Sequence, residues 1–295
     1  MDKIVRVGAG EDGAVWRRAL EGGEWVDGAV VMKEDGESWV GRAGVMGREV
    51  VVKCRVLDTW DRRLKAALGW GHGRKQWDGA ELLRRANVAT GVPLVLARAR
   101  IGGIVWEMLV LEFVPGPTVL EVLDQVARGE GPPVRVQHSI ARAVGRQAGM
   151  FGCVIANRDY KPSNLVVVSA DEEDATIAVI DSVGVFQPLM WRGVPGVLKT
   201  FVVEAMGCGV APRRTLMARV VESAAPRMNV PKLPPVRFLQ RPTQKLAREA
   251  LQKRGPAQQI DRTMRWIRRW LWEQTTAAVR VHGDPRPRVD PLRGR

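Results

Sequence analysis

The stretch Asn157-Arg158-Asp159-Tyr160-Lys161-Pro162-Ser163-Asn164, followed by the apolar run Leu165 to Val168, constrains this chain more than any other. A carboxylate, Asp159, is followed two residues on by Lys161 and five residues on by Asn164. A second apolar run, Ile177-Ala178-Val179-Ile180, ends in another carboxylate, Asp181. The set fits phosphoryl transfer. One carboxylate accepts a hydroxyl proton, a lysine offsets phosphate charge, and an amide oxygen and a second carboxylate bind a metal ion. A charged turn between two strands would also contain any one of these residues, but four at matching spacing favour the chemistry.

With these spacings the chain resembles the catalytic half of the protein-kinase-like superfamily, with Asn157 where a His is usual. The resemblance implies an α+β, two-lobe fold: a small antiparallel-sheet N-lobe over residues 1–115 and a mostly helical C-lobe over 116–295. It also implies ATP and Mg2+ as nucleotide and metal.

A chain of 295 residues with 45% hydrophobic content can bury a core of that size. No apolar run reaches the roughly 18–20 residues of a membrane span, and Met1-Asp2-Lys3-Ile4 opens no signal peptide. Cys54, Cys153 and Cys208 lack metal-ligand spacing, and Cys54 and Cys153 read as buried free thiols in a reducing cytoplasm. A net charge of +14 favours anionic partners: nucleotide phosphates, anionic lipid or nucleic acid. No zinc-finger spacing, aromatic ribonucleoprotein strand or basic heptad supports specific nucleic-acid binding.

Residues 1–27 suggest no more than a short strand or cap. Ala29 to Met32, Ser38 to Ala43 and Glu49 to Val56, parted by Asp35-Gly36 and Met46-Gly47, predict a three-strand meander. The third strand carries Lys53, which the kinase resemblance assigns to the α- and β-phosphates of ATP. Gly44 and Gly47 lie too close to Lys53 to form a phosphate-covering loop. The turn at Gly36 is better placed, though its acidic neighbours suit phosphate poorly. Residues 57–73 read as irregular and mobile. A helix follows over Arg74 to Ala86, where Glu81 is the candidate carboxylate partner of Lys53, with Asp78 and Gln76 in alternative registers. Strands at Leu94 to Ala99 and Trp106 to Phe113 then lead to a Pro115-Gly116 hinge, whose backbone at Glu112 and Val114 would meet the adenine edge.

Helices over Thr118 to Arg128 and Arg135 to Gly152 lead into the Asp159 loop. Residues 169–174 read as a solvated hairpin tip. Arg158 to Asn164, Ile180 to Val185, Lys75-Gln76-Trp77 with Leu83 and Thr90, Leu111 to Gly116 and Gly209 to Arg214 are similar to the lipopolysaccharide kinase family, which phosphorylates Kdo or heptose sugars of the lipid A core. That likeness covers roughly residues 28–225. It implies Asp159 as proton acceptor, Lys161 on the transferred phosphoryl, Asn164 and Asp181 as metal ligands, and a glycolipid sugar as hydroxyl acceptor. No Ala-Pro-Glu element follows Asp181, so a substrate-peptide platform is not expected.

A protein Ser/Thr kinase, a small-molecule kinase of the aminoglycoside or choline type, and a catalytically weak nucleotide-binding module remain alternatives. Beyond a proline-rich connection, Thr243 to Lys253 and Gln258 to Val281 read as helices and the tail from Gly283 as disordered. The second helix, with Arg262, Arg265, Arg268 and Arg269, either packs on the lobe or lies on anionic lipid at the inner face of the cell membrane.

Overall fold

The computed structural model describes residues 1–224, apart from 2, 102, 154, 188–193 and 211. The predicted helices over Thr243 to Lys253 and Gln258 to Val281, and the tail, lie outside the described residues.

The first half of the chain builds one antiparallel sheet. Its strands are β1 (Lys3–Val7), β2 (Val30–Asp35), β3 (Ser38–Val45), β4 (Arg48–Val56), β5 (Pro93–Ile101) and β6 (Ile104–Glu112), in the spatial order β1-β5-β6-β4-β3-β2. β4 lies between β3 and β6, so both its edges are paired and its β-branched run is buried at Val50 and Val52. Alternation sends those two residues to one face and Val51, Lys53 and Arg55 to the other.

Residues 1–27 hold more than a short strand. Besides β1 they form α1 (Gly13–Gly22), capped by the Asp12 carboxylate on Ala14 N–H, and α2 (Glu24–Asp27). Trp16, Leu20 and Trp25 of these helices cover the Val50, Val52 and Val110 face. Full burial of such side chains contributes roughly 1.5–3 kcal/mol each.

Residues 57–73 are likewise more regular than expected, since α3 spans Trp60–Ala67. Its large apolar residues face solvent, with Trp60 and Leu64 exposed and Ala66 buried, so no apolar stripe marks it. α4 (His72–Arg85) packs Trp77 against Leu96, Leu109 and Leu111 on the other sheet face.

The second half is mostly helical. α5 (Val119–Arg128) begins at a Thr118/Glu121 capping box, and α6 (Val134–Cys153) runs through the core. β7 (Ala156–Asn157) pairs with β10 (Val185–Phe186), and β8 (Leu165–Ala170) forms a hairpin with β9 (Ala175–Val179). α7 (Val194–Gly207) and α8 (Arg214–Ala224) complete the described part. Gly116, at φ 127°, joins the halves; a Cβ there would meet Val167 O at 2.1 Å, which only glycine avoids. The result is an α+β fold with a cleft between the six-stranded antiparallel sheet and the mostly helical part.

Cys54 is free and half-buried, and burial pushes its thiol up to about 12, while Cys208 is exposed. Among the described residues no helix is long and apolar enough to cross a membrane.

Candidate active site

The cleft measures about 740 Å³, and Lys53, Leu109, Val114, Asn164, Val166 and Asp181 are among its walls. The pleat of β4 turns Lys53 into it, opposite Leu109 of β6. Lys53 Nζ donates to Ile180 O at 3.3 Å. Desolvation lowers its pKa, the Asp181 carboxylate works against that shift, and Lys33 adds to it.

The Asp159 loop is held from several directions. Tyr160 is wholly buried, and its hydroxyl lies 3.0 Å from both Val144 O and Gln147 Oε1. Asn157 Oδ1 accepts the Asp159 N–H at 2.9 Å, and Arg158 N–H donates to Gly184 O at 3.0 Å. The asparagine thus secures the loop where a histidine is usual. Its Nδ2 is buried without a hydrogen-bond partner among the described residues. Pro162–Asn164 closes as one 3-10 turn.

Side chains then converge. Lys161 Nζ lies 2.5 Å from Asp159 Oδ1. Asn164 Nδ2 donates to Asp159 O at 3.0 Å and to Asp159 Oδ2 at 3.1 Å. That fixes the amide so that its oxygen remains for a cation. Asp181 Oδ1 accepts Val183 N–H at 3.2 Å and keeps its other oxygen. Two hard oxygen donors suit Mg2+, which keeps waters and phosphate oxygens as its remaining ligands. No cluster of three His, Cys, Asp or Glu could hold a metal among the described residues.

Glu81 does not reach Lys53. Its carboxylate accepts from Arg6 Nη2 at 3.1 Å and from Trp77 Nε1 at 2.9 Å, which turns it towards β1. The alternative residue Gln76 faces the cleft, and its Nε2 donates at 3.4 Å to Ile180 O, the same carbonyl that Lys53 uses. Lys53 therefore has a neutral amide as its helical neighbour, and Asp181 supplies the nearby negative charge. α4 comes this close because residue 79 is glycine: a Cβ there would lie 2.1 Å from Ser182 O. Ser182 Oγ donates to Gln76 O at 2.6 Å across the same contact.

At the hinge, Glu112 N–H donates to Val92 O and Phe113 N–H to Glu49 O, so both belong to the sheet. Glu112 thus offers a nucleotide its carbonyl rather than its N–H, and its carboxylate binds Arg48 at 2.8 Å. Val114 lines the cleft beside it.

Gly36 sits at the β2–β3 tip but does not provide a phosphate-binding nest. The Asp35 carboxylate accepts Glu37 N–H at 3.1 Å and Ser38 N–H at 2.8 Å, holding the donors that phosphate would need. A hydrogen bond from the Ser38 side chain, with those from Glu37 and Ser38 N–H, holds the Asp35 carboxyl below its usual range.

Three residues in or behind the cleft escape sequence reasoning. Glu204 of α7 accepts both Ser163 N–H (3.0 Å) and Ser163 Oγ–H (2.7 Å), bracing the turn next to Asn164. Buried Glu107 accepts Gly73 N–H at 2.7 Å and pins the first turn of α4 to β6. Lys33 lines the cleft from β2. Glu107 interrupts the otherwise apolar run of β6, a signal that was available; Lys33 carries no such mark, and Glu204 depends on a distant packing contact.

No family model and no curated protein sequence matches the chain. Among solved structures it is similar to WaaP in complex with acyl carrier protein. The identity is 23%, over 76% of this chain and 86% of that one, with a TM-score of 0.49.

Proposed function

We propose that this chain is an ATP- and Mg2+-dependent phosphotransferase acting on a hydroxyl group, with a sugar of the lipopolysaccharide core or a similar glycolipid as acceptor. The observation that carries it is the gathering of Lys53, Asn164 and Asp181 on one cleft, with Lys161 2.5 Å from Asp159 in the adjoining loop. In this assignment residues 1–115 and 116–295 form the two lobes, with adenine at the Glu112–Val114 backbone.

Lys53 holds the α- and β-phosphates, and Asn164 and Asp181 hold the metal. Bound Mg2+ offsets charge on the phosphate oxygens as the phosphoryl group passes. Asp159 orients the acceptor hydroxyl and takes its proton, while Lys161 meets the transferred phosphoryl. The transition state is loose, so positioning and charge dominate, and the base contributes about 10²–10⁴-fold.

The glycolipid acceptor is supported by the sequence tracts around Asn164, Asp181 and Arg214, and by the absence of an Ala-Pro-Glu element after Asp181. A cytoplasmic enzyme with peripheral contact to an anionic membrane accommodates such an acceptor. One observation favours a second reading, a catalytically weak nucleotide-binding module: Asp35 occupies the hairpin N–H groups. Transfer from labelled ATP into a crude glycolipid extract, a protein mixture and the chain itself decides. Label in glycolipid supports the proposal; ATP binding with no transfer to any of the three leaves the binding module.

A further inference from the structure

The β2–β3 hairpin tip lines the cleft through Asp35, Glu37 and Ser38, yet its N–H groups at Glu37 and Ser38 are held by the Asp35 carboxylate. A cation lies beside that tip. Arg55 of β4 is the register partner of Ser38, and Val56 N–H donates to Glu37 O at 2.9 Å, tying the strand to the hairpin. Counted outward from the hinge, β4 presents Val51 opposite Leu111, Lys53 opposite Leu109 and Arg55 opposite Glu107. Alternation puts Arg55 on the face of Lys53, about 7 Å farther along the strand, and both side chains line the cleft.

The charge of Arg55 is left uncompensated. Two carboxylates flank it in the sheet and both are engaged elsewhere: Glu107 accepts Gly73 N–H at 2.7 Å, and Glu37 binds Arg62 at 2.8 Å. Among the described residues Arg55 forms no ion pair, and its side-chain partner is His72, with Nη1 3.0 Å from Nδ1. A guanidinium only donates, so Nδ1 accepts and the imidazole is neutral. Desolvation, together with the Arg55 charge, lowers the His72 pKa and favours that form. A cation anchored by a neutral ring keeps its charge for a ligand, and the rest of its fork is free to meet phosphate oxygens.

We propose that Arg55, positioned by His72, binds the terminal phosphate of ATP in place of the occupied hairpin N–H groups. The inference rests on the phosphotransferase reading. Adenine at the Glu112–Val114 backbone and two phosphates at Lys53 direct the third along β4 towards Arg55. Lys53 then serves diphosphate and triphosphate alike, and Arg55 tells them apart.

The test is calorimetric titration of the full chain, in magnesium, with ATP, ADP and adenosine. Arg55→Met should weaken ATP about tenfold or more relative to ADP, the loss of one charge-assisted contact. Adenosine affinity should stay at the wild-type value, which shows that the cleft is intact. Lys53→Met should instead weaken ATP and ADP together. His72→Leu removes the acceptor that orients Arg55, so the ATP-to-ADP affinity ratio should fall in the same direction by a smaller factor. If Arg55→Met does not fold, His72→Leu carries the comparison. A wild-type ATP-to-ADP ratio in the variant measured, or equal losses of ATP and ADP, overturns the role of Arg55 and leaves the nucleotide site standing. A wild-type chain that binds none of the three ligands overturns the nucleotide site itself, and Arg55 with it.

Discussion

Asn164 donates its side-chain amide twice to Asp159, to the backbone carbonyl at 3.0 Å and to the carboxylate at 3.1 Å. The proposed base and the proposed metal ligand are therefore one mechanical unit, and changing either side chain disturbs the other. Asp159→Asn removes the proton acceptor at nearly constant shape. Transfer should fall by about two to four orders of magnitude while ATP affinity stays near wild type. Measured turnover within threefold of wild type would remove Asp159 from the role of base.

The metal assignment has its own test. Nucleotide binding should tighten with magnesium in the wild type and lose that dependence in Asp181→Ala. Calorimetric ATP affinity that is the same with and without magnesium in the wild type would refute Asn164 and Asp181 as ligands.

Glu81 belongs to stability rather than to nucleotide binding. Its partners are Arg6 of β1 and Trp77 of α4, not Lys53. Glu81→Gln should lower unfolding free energy by roughly 0.5–1 kcal/mol, the range of a partly exposed pair. The KM for ATP should not move. Gln76→Leu, by contrast, should raise that KM, because it removes the amide that shares Ile180 O with Lys53. A KM that responds to Glu81→Gln but not to Gln76→Leu would reverse the assignment.

Gly79→Ala tests the contact that brings α4 onto the Asp181–Ser182 segment. The new methyl would sit 2.1 Å from a backbone oxygen, Ser182 O, so helix and segment must part. Overpacking of this kind costs about 1–3 kcal/mol. Chemical denaturation should show that loss, with weaker magnesium-dependent ATP binding alongside it. Unchanged values for both would mean the contact relaxes freely.

What the sequence revealed follows from where signals are local. Lys53 and Asp181 each end an apolar run and the Asp159 loop precedes one, so strand patterning marked all three without knowledge of packing, and Lys53 and Asp181 line the cleft. α4 was legible as a helix, but its rotation was not. Glu81 and Gln76 differ by five positions, and only Arg6, seventy-odd residues away, decides which one faces β1. α3 was missed because its apolar residues face outward. Gly36 misled because a turn glycine signals a backbone shape, whereas the occupancy of its N–H groups depends on the Asp35 side chain.

That occupancy makes the hairpin a two-sided experiment. Asp35→Ala frees Glu37 and Ser38 N–H and removes a negative charge from the cleft wall, so ATP should bind several-fold tighter. Lys33→Gln removes a cation from the same wall and should weaken ATP while leaving adenosine, which has no phosphates, unaffected. The gap between ATP and adenosine affinity measures the phosphate contribution directly. Equal losses for both ligands in Lys33→Gln would mean the hairpin had shifted rather than lost a phosphate contact.

The proposed membrane contact is tested on the whole chain. Residues 225–295 contain 17 Lys and Arg against five Asp and Glu, so they carry +12 of the +14 net charge. Residues 1–224 are close to neutral and give an anionic surface little to attract. Each basic residue close to an anionic bilayer contributes about 1 kcal/mol, and salt screens the attraction. The full chain should pellet with anionic vesicles at low salt and release at high salt. Replacing Arg265, Arg268 and Arg269 by Gln should weaken pelleting while ATP affinity holds. If the full chain stays in the supernatant at every salt concentration, the arginines serve another purpose. A water-soluble hydroxyl acceptor then becomes the better candidate for the phosphoryl group.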